Sequence, residues 1–287
     1  METSKIELQR IREFGEVFNA TFAFLKQEFK PFGRSVLVFI LPSILILGTT
    51  IVLFSSFSFG TLTKPENLGT SSYFVEFFKI CMIIIVFSVL LQTIIMSTIY
   101  SYLNLYLKKV ENIGISEMFT EIKANFFPVM GASVLSGIVM VFGLIFCFLP
   151  GIYLGVSLSM INIAVVIEKK GIGEAFSRSF QLSHKQWGWT FLILLVSIVL
   201  YYVMYIILNI PGMIIGFTSV FQNFKNPINP YEKYGVIYLI YTSVVSTITY
   251  LLSTIPALLI AFQYFNIVET IEKPSLIERI GEIGTNE

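Results

Sequence analysis

Five long stretches of the chain contain no charged residue, and short polar segments separate them. They cover residues 35–63, 80–107, 124–167, 186–224 and 234–268. Each is longer than the roughly 20 apolar residues that a helix needs to cross a bilayer, and the third is long enough for two crossings. Backbone amides find no water inside lipid, so the crossings are helices or a closed barrel, and long unbroken apolar runs favour helices. The pattern predicts an all-α integral membrane protein with six transmembrane helices.

The six predicted spans form one transmembrane domain, residues 35–268, between an N-terminal segment, residues 1–34, and a tail, residues 269–287. Their approximate bounds are residues 35–57, 73–107, 127–146, 152–167, 187–209 and 234–268.

Prolines divide the later apolar runs. Pro150-Gly151 predicts a tight hairpin between the third and fourth spans. Pro211-Gly212 interrupts the fifth run, which leaves residues 213–222 as a re-entrant or interfacial piece. Pro256 predicts a kink in the last span. In the tail, Pro274-Ser275 opens a short helix, with Ser275 and Glu278 at capping-box spacing.

An amphipathic helix is predicted in the polar segment before the first, third and fifth spans. In the N-terminal segment, apolar residues recur at spacings of three and four, which is one face of a helix that Lys30-Pro31 ends. That face consists of Ile11, Phe14, Phe18, Phe22, Leu25 and Phe29. Residues 116–125 and 173–185 give the second and third helices. We expect these helices to lie in the membrane interface. For the first, a helix packed on a soluble partner is the alternative.

Aromatic pairs seven residues apart indicate a threefold internal repeat. The pairs are Phe22 with Phe29, Phe119 with Phe126, and Phe180 with Trp187. Seven residues are nearly two helical turns, so each pair shares one face. Each repeat would be an interfacial helix followed by a transmembrane hairpin. Chance is the competing explanation, because 15% of the residues are aromatic.

The composition agrees with a membrane protein and limits its partners. The chain is 55% hydrophobic and only 13% charged, with a mean hydropathy of +0.79. A soluble domain is roughly 25% charged. The net charge of +1 predicts no nucleic-acid partner. Cys81 and Cys147 lie in apolar runs without CxxC spacing, so we expect buried, reduced thiols.

The basic residues predict the orientation. Fifteen of the nineteen lie before the first span, after the even-numbered spans or in the tail. By the positive-inside rule, both termini are cytoplasmic, which agrees with an even number of spans. The predicted location is a bacterial cytoplasmic membrane.

The stretch from Leu149 to Trp187 resembles a family of bacterial multi-pass proteins related to the membrane domain of glycerophosphodiester phosphodiesterases. The residues that carry the resemblance are Leu149-Pro150-Gly151, Glu168, Gly171, Glu174-Ala175, Arg178-Ser179, Leu182 and Trp187. The opening Glu13-Phe14-Gly15-Glu16-Val17-Phe18, followed by Thr21-Phe22, resembles the start of stand-alone members. The resemblance implies an α-helical membrane domain with no assigned activity, and it brings no catalytic residues.

No catalytic, cofactor or metal site is predicted. The reaction of a phosphodiesterase of that class needs paired histidines and several carboxylates. The chain has one histidine, His184, and no aspartate. We expect His184 to be solvated beside Lys185, and we expect no cofactor and no enzymatic activity.

Two residue sets are candidates for binding. Glu168, Lys169, Lys170, Glu174 and Arg178 form a charged patch that binds a lipid phosphate or a partner protein, or that instead makes salt links fixing the local fold. Within the predicted helix at residues 173–185, Glu174 and Arg178 are four residues apart, which is the spacing of a helical ion pair. Polar residues within spans, Gln92, Asn162 and Gln263, either form interhelical hydrogen bonds or line a solute path.

The sequence thus leaves two function classes open. The first is a non-enzymatic membrane protein that organises membrane lipids, or another membrane or cytoplasmic protein. The second is a carrier of a small or lipid-like solute through a central cavity lined by Gln92, Asn162 and Gln263.

Overall fold

The computed structural model describes residues 5–50, 71–110, 112–222 and 230–277, and within these ranges the chain forms helices and no strand. The helices of the first half are α1 (Phe14–Gln27), α2 (Phe29–Ser35), α3 (Leu41–Ser43), α4 (Ser71–Leu107), α5 (Ile115–Phe146), α6 (Phe148–Leu158) and α7 (Ile161–Ile167). Two π-helical stretches, Val36–Ile40 and Ile44–Gly48, flank α3. The second half contains α8 (Ile172–Lys185), α9 (Trp187–Gln222), α10 (Pro230–Leu252) and α11 (Thr254–Glu272). Residues 274–277 are also helical.

Six helical stretches are long and apolar enough to cross a membrane, so the protein is a multi-pass α-helical membrane protein as predicted. They are Phe29–Ile46, Phe77–Leu107, Ile115–Phe146, Phe148–Ile167, Trp187–Ile215 and Ile240–Glu272. The end of the predicted first span (residues 51–57), its following loop, the turn at residues 226–229 and Glu278 lie outside the described residues.

Three helices end four residues before a proline. Proline has no N–H, so the carbonyl four residues earlier loses its helical partner. Accordingly α1 ends at Gln27 before Pro31, α5 ends at Phe146 before Pro150, and α10 ends at Leu252 before Pro256. The predicted hairpin at Pro150 and kink at Pro256 coincide with these breaks. The first helix ends three residues earlier than the predicted end at Lys30-Pro31.

Pro211 does not interrupt its helix, contrary to the prediction, and residues 213–222 continue α9. The Tyr241 hydroxyl explains the continuity because it takes the place of a helical hydrogen bond. It donates to the Leu208 carbonyl at 3.0 Å and accepts from the Gly212 N–H at 2.9 Å. A Cβ at Gly212 would lie 3.0 Å from the Tyr241 ring, so this approach favours glycine.

The predicted separate helix at residues 116–125 is helical, but it is continuous with the third span in α5. Pro128 lies inside α5 and removes the partner of the Ala124 carbonyl. Ala124 is exposed, which leaves room for water or a headgroup there. The predicted helix at residues 173–185 is a separate element, α8.

The chain divides into two compact units. Unit 1 contains Met1–Val38, Thr93–Val199 and Thr254–Glu287, and unit 2 contains Phe39–Gln92 and Leu200–Ser253. Unit 2 contains the Tyr241 bridge. The candidate site lies in unit 1, whose most buried helical stretches are residues 97–105 of α4, 161–167 of α7 and 257–269 of α11. Each of these stretches belongs to the last part of an even-numbered span. We call these last parts, up to the turn that follows each span, the inner ends.

Three segments of unit 1 share one sequence pattern and one pattern of burial. We call them elbows: α1, residues 115–128 of α5, and α8. They start with Phe14-Gly15-Glu16, Ile115-Ser116-Glu117 and Ile172-Gly173-Glu174. Their fourth, eighth and eleventh residues are buried: Val17, Thr21 and Phe24; Met118, Ile122 and Asn125; Ala175, Ser179 and Leu182. Common sequence and common burial support the threefold repeat.

The structure changes the register of the second repeat, and it leaves the apolar stripe of the first elbow outside the protein core, as expected of a helix in the membrane interface. In the new register Phe119 matches Phe18 and Phe176, so the predicted pair Phe119 with Phe126 is shifted by four residues. In α1, the predicted apolar stripe does not face the protein core. Phe22 is 47% exposed and Phe29, which follows the elbow, 74% exposed.

Each elbow contacts two inner ends, and the contacts form a closed cycle within unit 1. The first elbow contacts α11 through the rings of Phe24 and Phe262, and α4 through the rings of Phe24 and Tyr102. The second elbow contacts α4 and the residues that follow α7. The third contacts the end of α7 and α11. Elbows and inner ends therefore alternate, and the cycle closes between the first elbow and α11.

A lysine in the left-handed backbone conformation follows each inner end. Lys109, Lys169 and Lys273 have φ values of 57°, 52° and 51°. This conformation costs an L-residue roughly 1–2 kcal/mol and usually selects glycine. The shared turn is a third feature that the repeats have in common.

Candidate functional site

The seventh residue of an elbow connects two inner ends by charge in two of the three repeats. In the second repeat this residue is Glu121. Its carboxylate accepts a hydrogen bond from Asn104 of α4 at 2.7 Å and pairs with Lys169, which follows α7. Lys169 also donates to Asn125 at 3.0 Å. The cluster fixes the second elbow between α4 and α7.

In the third repeat the seventh residue is Arg178, so the charges are reversed. Its Nε lies 2.8 Å from a Glu168 carboxylate oxygen at the end of α7, and another guanidinium nitrogen lies 2.7 Å from Glu272 of α11. Lys170 lies 2.6 Å from Glu168. The hydroxyl of Tyr264 on α11 donates to Glu168 at 2.5 Å. The Glu168 carboxylate therefore accepts hydrogen bonds from three side chains.

This environment shifts the pKa values of both partners. Burial alone would raise the pKa of Glu168, but hydrogen bonds from Lys170, Tyr264 and Arg178 outweigh it, and the pKa lies below its ordinary value. Burial alone would lower the pKa of Arg178, but its bonds to Glu272 and Glu168 raise it. Both groups are therefore held in their charged forms.

Four of the five predicted patch residues take part in these salt links. Glu168, Lys169, Lys170 and Arg178 have partners within the protein. Glu174 is exposed, and in the described part of the chain it has no ion pair, so Arg178 binds Glu168 and Glu272 instead of its predicted helical partner. His184 is exposed beside Lys185, as expected. Cys147 is exposed rather than buried, and both cysteines are free thiols.

The three predicted cavity residues have separate surroundings. Gln92 is exposed and belongs to unit 2. Asn162 accepts a hydrogen bond from Ser133 at 3.2 Å, which links the third and fourth spans. Gln263 is buried and lies within 3.4 Å of acceptors on Gln186 and Thr190. Their described hydrogen bonds do not join these residues to one another.

A pocket of about 460 Å³ opens in unit 1 between the start of α1, the start of α9 and the end of α11. Its polar lining residues are Arg12, Glu13, Gln186, Gln263, Asn266 and Thr270. Gln263 and Asn266 are 1% and 5% exposed, so they form the floor. Asn266 accepts from the Arg12 N–H at 2.8 Å and donates to Gln263 at 3.2 Å. The floor is therefore an ordered row of amides.

Arg12 adds a charge to the pocket wall, but most of its contacts are structural. Its guanidinium donates to the carbonyls of Glu7, Leu8 and Arg10 and lies 5.3 Å from the ring centre of Phe262. Burial, with the positive charge of Arg10, lowers its pKa below the ordinary value. The residue holds the N-terminal segment against α11.

The rim of the pocket is apolar. Ile11, Phe14, Trp189 and Ile193 line it. The Trp189 side chain is 53% exposed, and its ring centre lies 5.9 Å from that of Phe14. Tryptophan is typical of the headgroup level of a bilayer. A polar floor with an apolar rim suits a molecule that has one polar and one apolar end.

The sequence did not single out this pocket, although it marked several of its residues. Gln263 was predicted as a cavity residue, and Ile11 and Phe14 as part of the apolar face of the first helix. Arg12 and Asn266 are 254 residues apart, so no local pattern indicates their contact. The available signal was the spacing of Gln263 and Asn266, which places two amides on one face of the last span.

A family model described as "Domain of unknown function (DUF7847)" matches residues 113–265, which is more than half of the 287 residues. The match includes the second and third elbows and part of the pocket floor. No curated protein and no solved structure matches the chain. The resemblance to the membrane domain of glycerophosphodiester phosphodiesterases stays a prediction. The chain belongs to the DUF7847 family, a domain of unknown function.

Proposed function

We propose that the protein is a non-enzymatic protein of a bacterial cytoplasmic membrane, with both termini in the cytoplasm, that holds a membrane lipid by its headgroup. The observation that carries the proposal is the pocket between α1, α9 and α11. Its floor of buried amides offers hydrogen bonds, and its exposed Ile11 and Trp189 extend an apolar surface toward acyl chains.

The position of the pocket along the helices supports a headgroup ligand. It lies where α9 begins and α11 ends, next to the charged residues Lys185 and Lys273. Charged side chains and Trp189 are both expected at the level of lipid headgroups, because charge is costly at the centre of a bilayer.

The composition supports a binding role rather than catalysis. The chain has one histidine and no aspartate, and His184 is exposed on α8 and is not among the residues that line the pocket. The carboxylates Glu168 and Glu121 are committed to salt links. The carrier alternative needs Gln92, Asn162 and Gln263 on one path, and their separate hydrogen bonds give it no support.

Gly15 allows a direct test. It lines the pocket, and no atom lies within 4 Å of a Cβ added there. The Cβ of Gly15→Phe therefore meets open space, and we expect its ring to occupy pocket volume. Gly173 is the matched control, because it is the second residue of the third elbow and is equally open.

The measurement is native mass spectrometry of protein extracted from its host membrane in a mild detergent. We expect a retained lipid on the natural protein and on Gly173→Phe, and its loss from Gly15→Phe. Equal retention by all three proteins, or no lipid on any, would refute the proposal.

A further inference from the structure

We infer that the pocket recognises an uncharged sugar headgroup rather than an anionic phosphate headgroup. This inference rests on the proposed lipid-binding function and specifies the chemical class of the ligand. It is based on the charge of the lining, on the kinds of hydrogen-bonding groups and on the aromatic rim.

The charges that line the pocket cancel. Arg12 and Glu13 are its two ionisable lining residues. The Arg12 guanidinium donates to three main-chain carbonyls, and the Glu13 carboxylate accepts from the backbone at the start of α1. Recognition of a phosphate usually uses several lysine or arginine groups with free donors. This lining does not offer them.

The remaining polar groups match hydroxyls. Gln186, Gln263 and Asn266 each carry a donor and an acceptor, as a hydroxyl does. A phosphodiester has only acceptors at neutral pH, so it can use the amide donors but leaves the amide oxygens without a donor.

The Gln263 amide is positioned to take a ligand. Its Nε2 has two contacts, both at the long distance of 3.4 Å, although the side chain is only 1% exposed. Ordinary N–H···O bonds lie near 2.9–3.0 Å. A hydroxyl in the pocket gives this buried donor a shorter bond than its present partners do.

The aromatic rim also suits a polyol ring. Trp189 exposes about half of its surface beside Phe14. The flat, apolar face of an indole packs against C–H groups while its edge stays available to water. A sugar presents such C–H groups on its ring faces, whereas a phosphate has none.

The test uses two lipids with identical acyl chains, diglucosyl diacylglycerol and phosphatidylglycerol, added in equal amounts to delipidated full-length protein. Native mass spectrometry measures the retained fraction of each. We expect about tenfold greater retention of the glycolipid, equivalent to about 1.4 kcal/mol. Gly15→Phe should abolish this preference and Gly173→Phe should keep it. Gln186→Leu, which removes one amide from the half-buried mouth, should reduce it several-fold.

The other outcomes separate the two claims. If phosphatidylglycerol is retained equally or better and Gly15→Phe releases it, the headgroup inference is wrong while the lipid pocket stands. If retention of neither lipid depends on residue 15, the proposed function itself is wrong.

Discussion

At the scale of residues, the seventh position of the elbow carries opposite charges in the second and third repeats but makes equivalent contacts in both. Glu121 and Arg178 occupy the same place in two repeats, and each contacts the two inner ends beside it. Ala20 occupies this place in the first repeat. There Arg12, Phe24 and Tyr102 make the corresponding contacts. In all three repeats the elbow is therefore connected to the neighbouring inner ends, but the types of contact differ.

Arg178→Ala should lower the stability of the protein and its abundance in the membrane. The variant loses charged hydrogen bonds to Glu168 and Glu272, and such bonds contribute about 1.5–3 kcal/mol each when buried. Glu272 is 44% exposed, so most of the loss should come from Glu168. Thermal unfolding in detergent checks this. Glu174→Ala, on the same helix without an ion pair, should behave like the natural protein. Normal abundance of Arg178→Ala with loss of a bound lipid or partner would instead make Arg178 a recognition residue.

The Glu168 salt links should weaken in acid. The folded pKa of Glu168 is depressed below the unfolded value of about 4.3, so its stabilisation is complete above that value and is lost as the pH falls through the folded pKa. Glu168→Gln should therefore be less stable than the natural protein at pH 7. Their melting temperatures should converge as the pH falls through the folded pKa of Glu168. A difference that stays constant as the pH falls would show that the charge is not the stabilising feature.

At the scale of elements, Pro256 and Pro211 have different outcomes. At Pro256 the helix ends four residues earlier, at Leu252. Where Tyr241 bridges Leu208 and Gly212, α9 continues past Pro211. The sequence predicts a weakness at each proline. It does not predict the bridge, because Tyr241 is about 30 residues away from the gap that it fills.

Tyr241→Phe should destabilise α9 at Pro211. Hydrogen bonds between membrane helices contribute about 0.6 kcal/mol on average and at most about 1.7, and this variant loses two. We therefore expect a loss of about 1–2 kcal/mol in the free energy of unfolding, with faster amide exchange at Gly212. Tyr202→Phe is the control, because Tyr202 lies on α9 itself and its side chain is 56% exposed. Unchanged exchange at Gly212 in Tyr241→Phe would contradict the bridging role.

Local patterns predicted the spans and the elbows, but not which elbow face is buried. Phe22 and Phe29 indicated a hydrophobic face, and the structure leaves both exposed while burying Thr21. In a membrane protein, apolar side chains face lipid as readily as they face the core. Hydrophobicity therefore marks a helix without showing its inward side. The pocket was not predicted for a different reason, because its floor depends on a contact between Arg12 and Asn266, which are 254 residues apart.

At the scale of the whole molecule, the six apolar helical stretches explain the high hydrophobic content of the chain. The threefold repeat explains why the stretches follow one another in pairs. Each repeat supplies an elbow, an outgoing span and a returning span. If all six stretches cross the membrane, both termini lie on the same side, the side of the elbows. The excess of basic residues near the elbows and in the tail supports our proposal that this side faces the cytoplasm.

Cysteine labelling tests this orientation. Cys81 and Cys147 are first replaced by serine, and single cysteines are then introduced as His184→Cys on α8 and as Asn67→Cys, which belongs to the loop predicted from the sequence after the first span. A membrane-impermeant maleimide should label Asn67→Cys in intact cells. It should label His184→Cys only after permeabilisation. The reverse pattern would invert the proposed topology and put the pocket on the outer side.

The central claim is that the pocket between α1, α9 and α11 holds a lipid by its headgroup, and density for that lipid tests it most directly. The measurement is a cryo-electron microscopy map of the natural protein in nanodiscs of host lipids. We predict two acyl chains beside Ile11 and Trp189, joined to a headgroup within hydrogen-bonding distance of Gln263 and Asn266. A map with ordered lipids elsewhere on the protein, and only water or closed side chains between Trp189 and Asn266, would contradict the account.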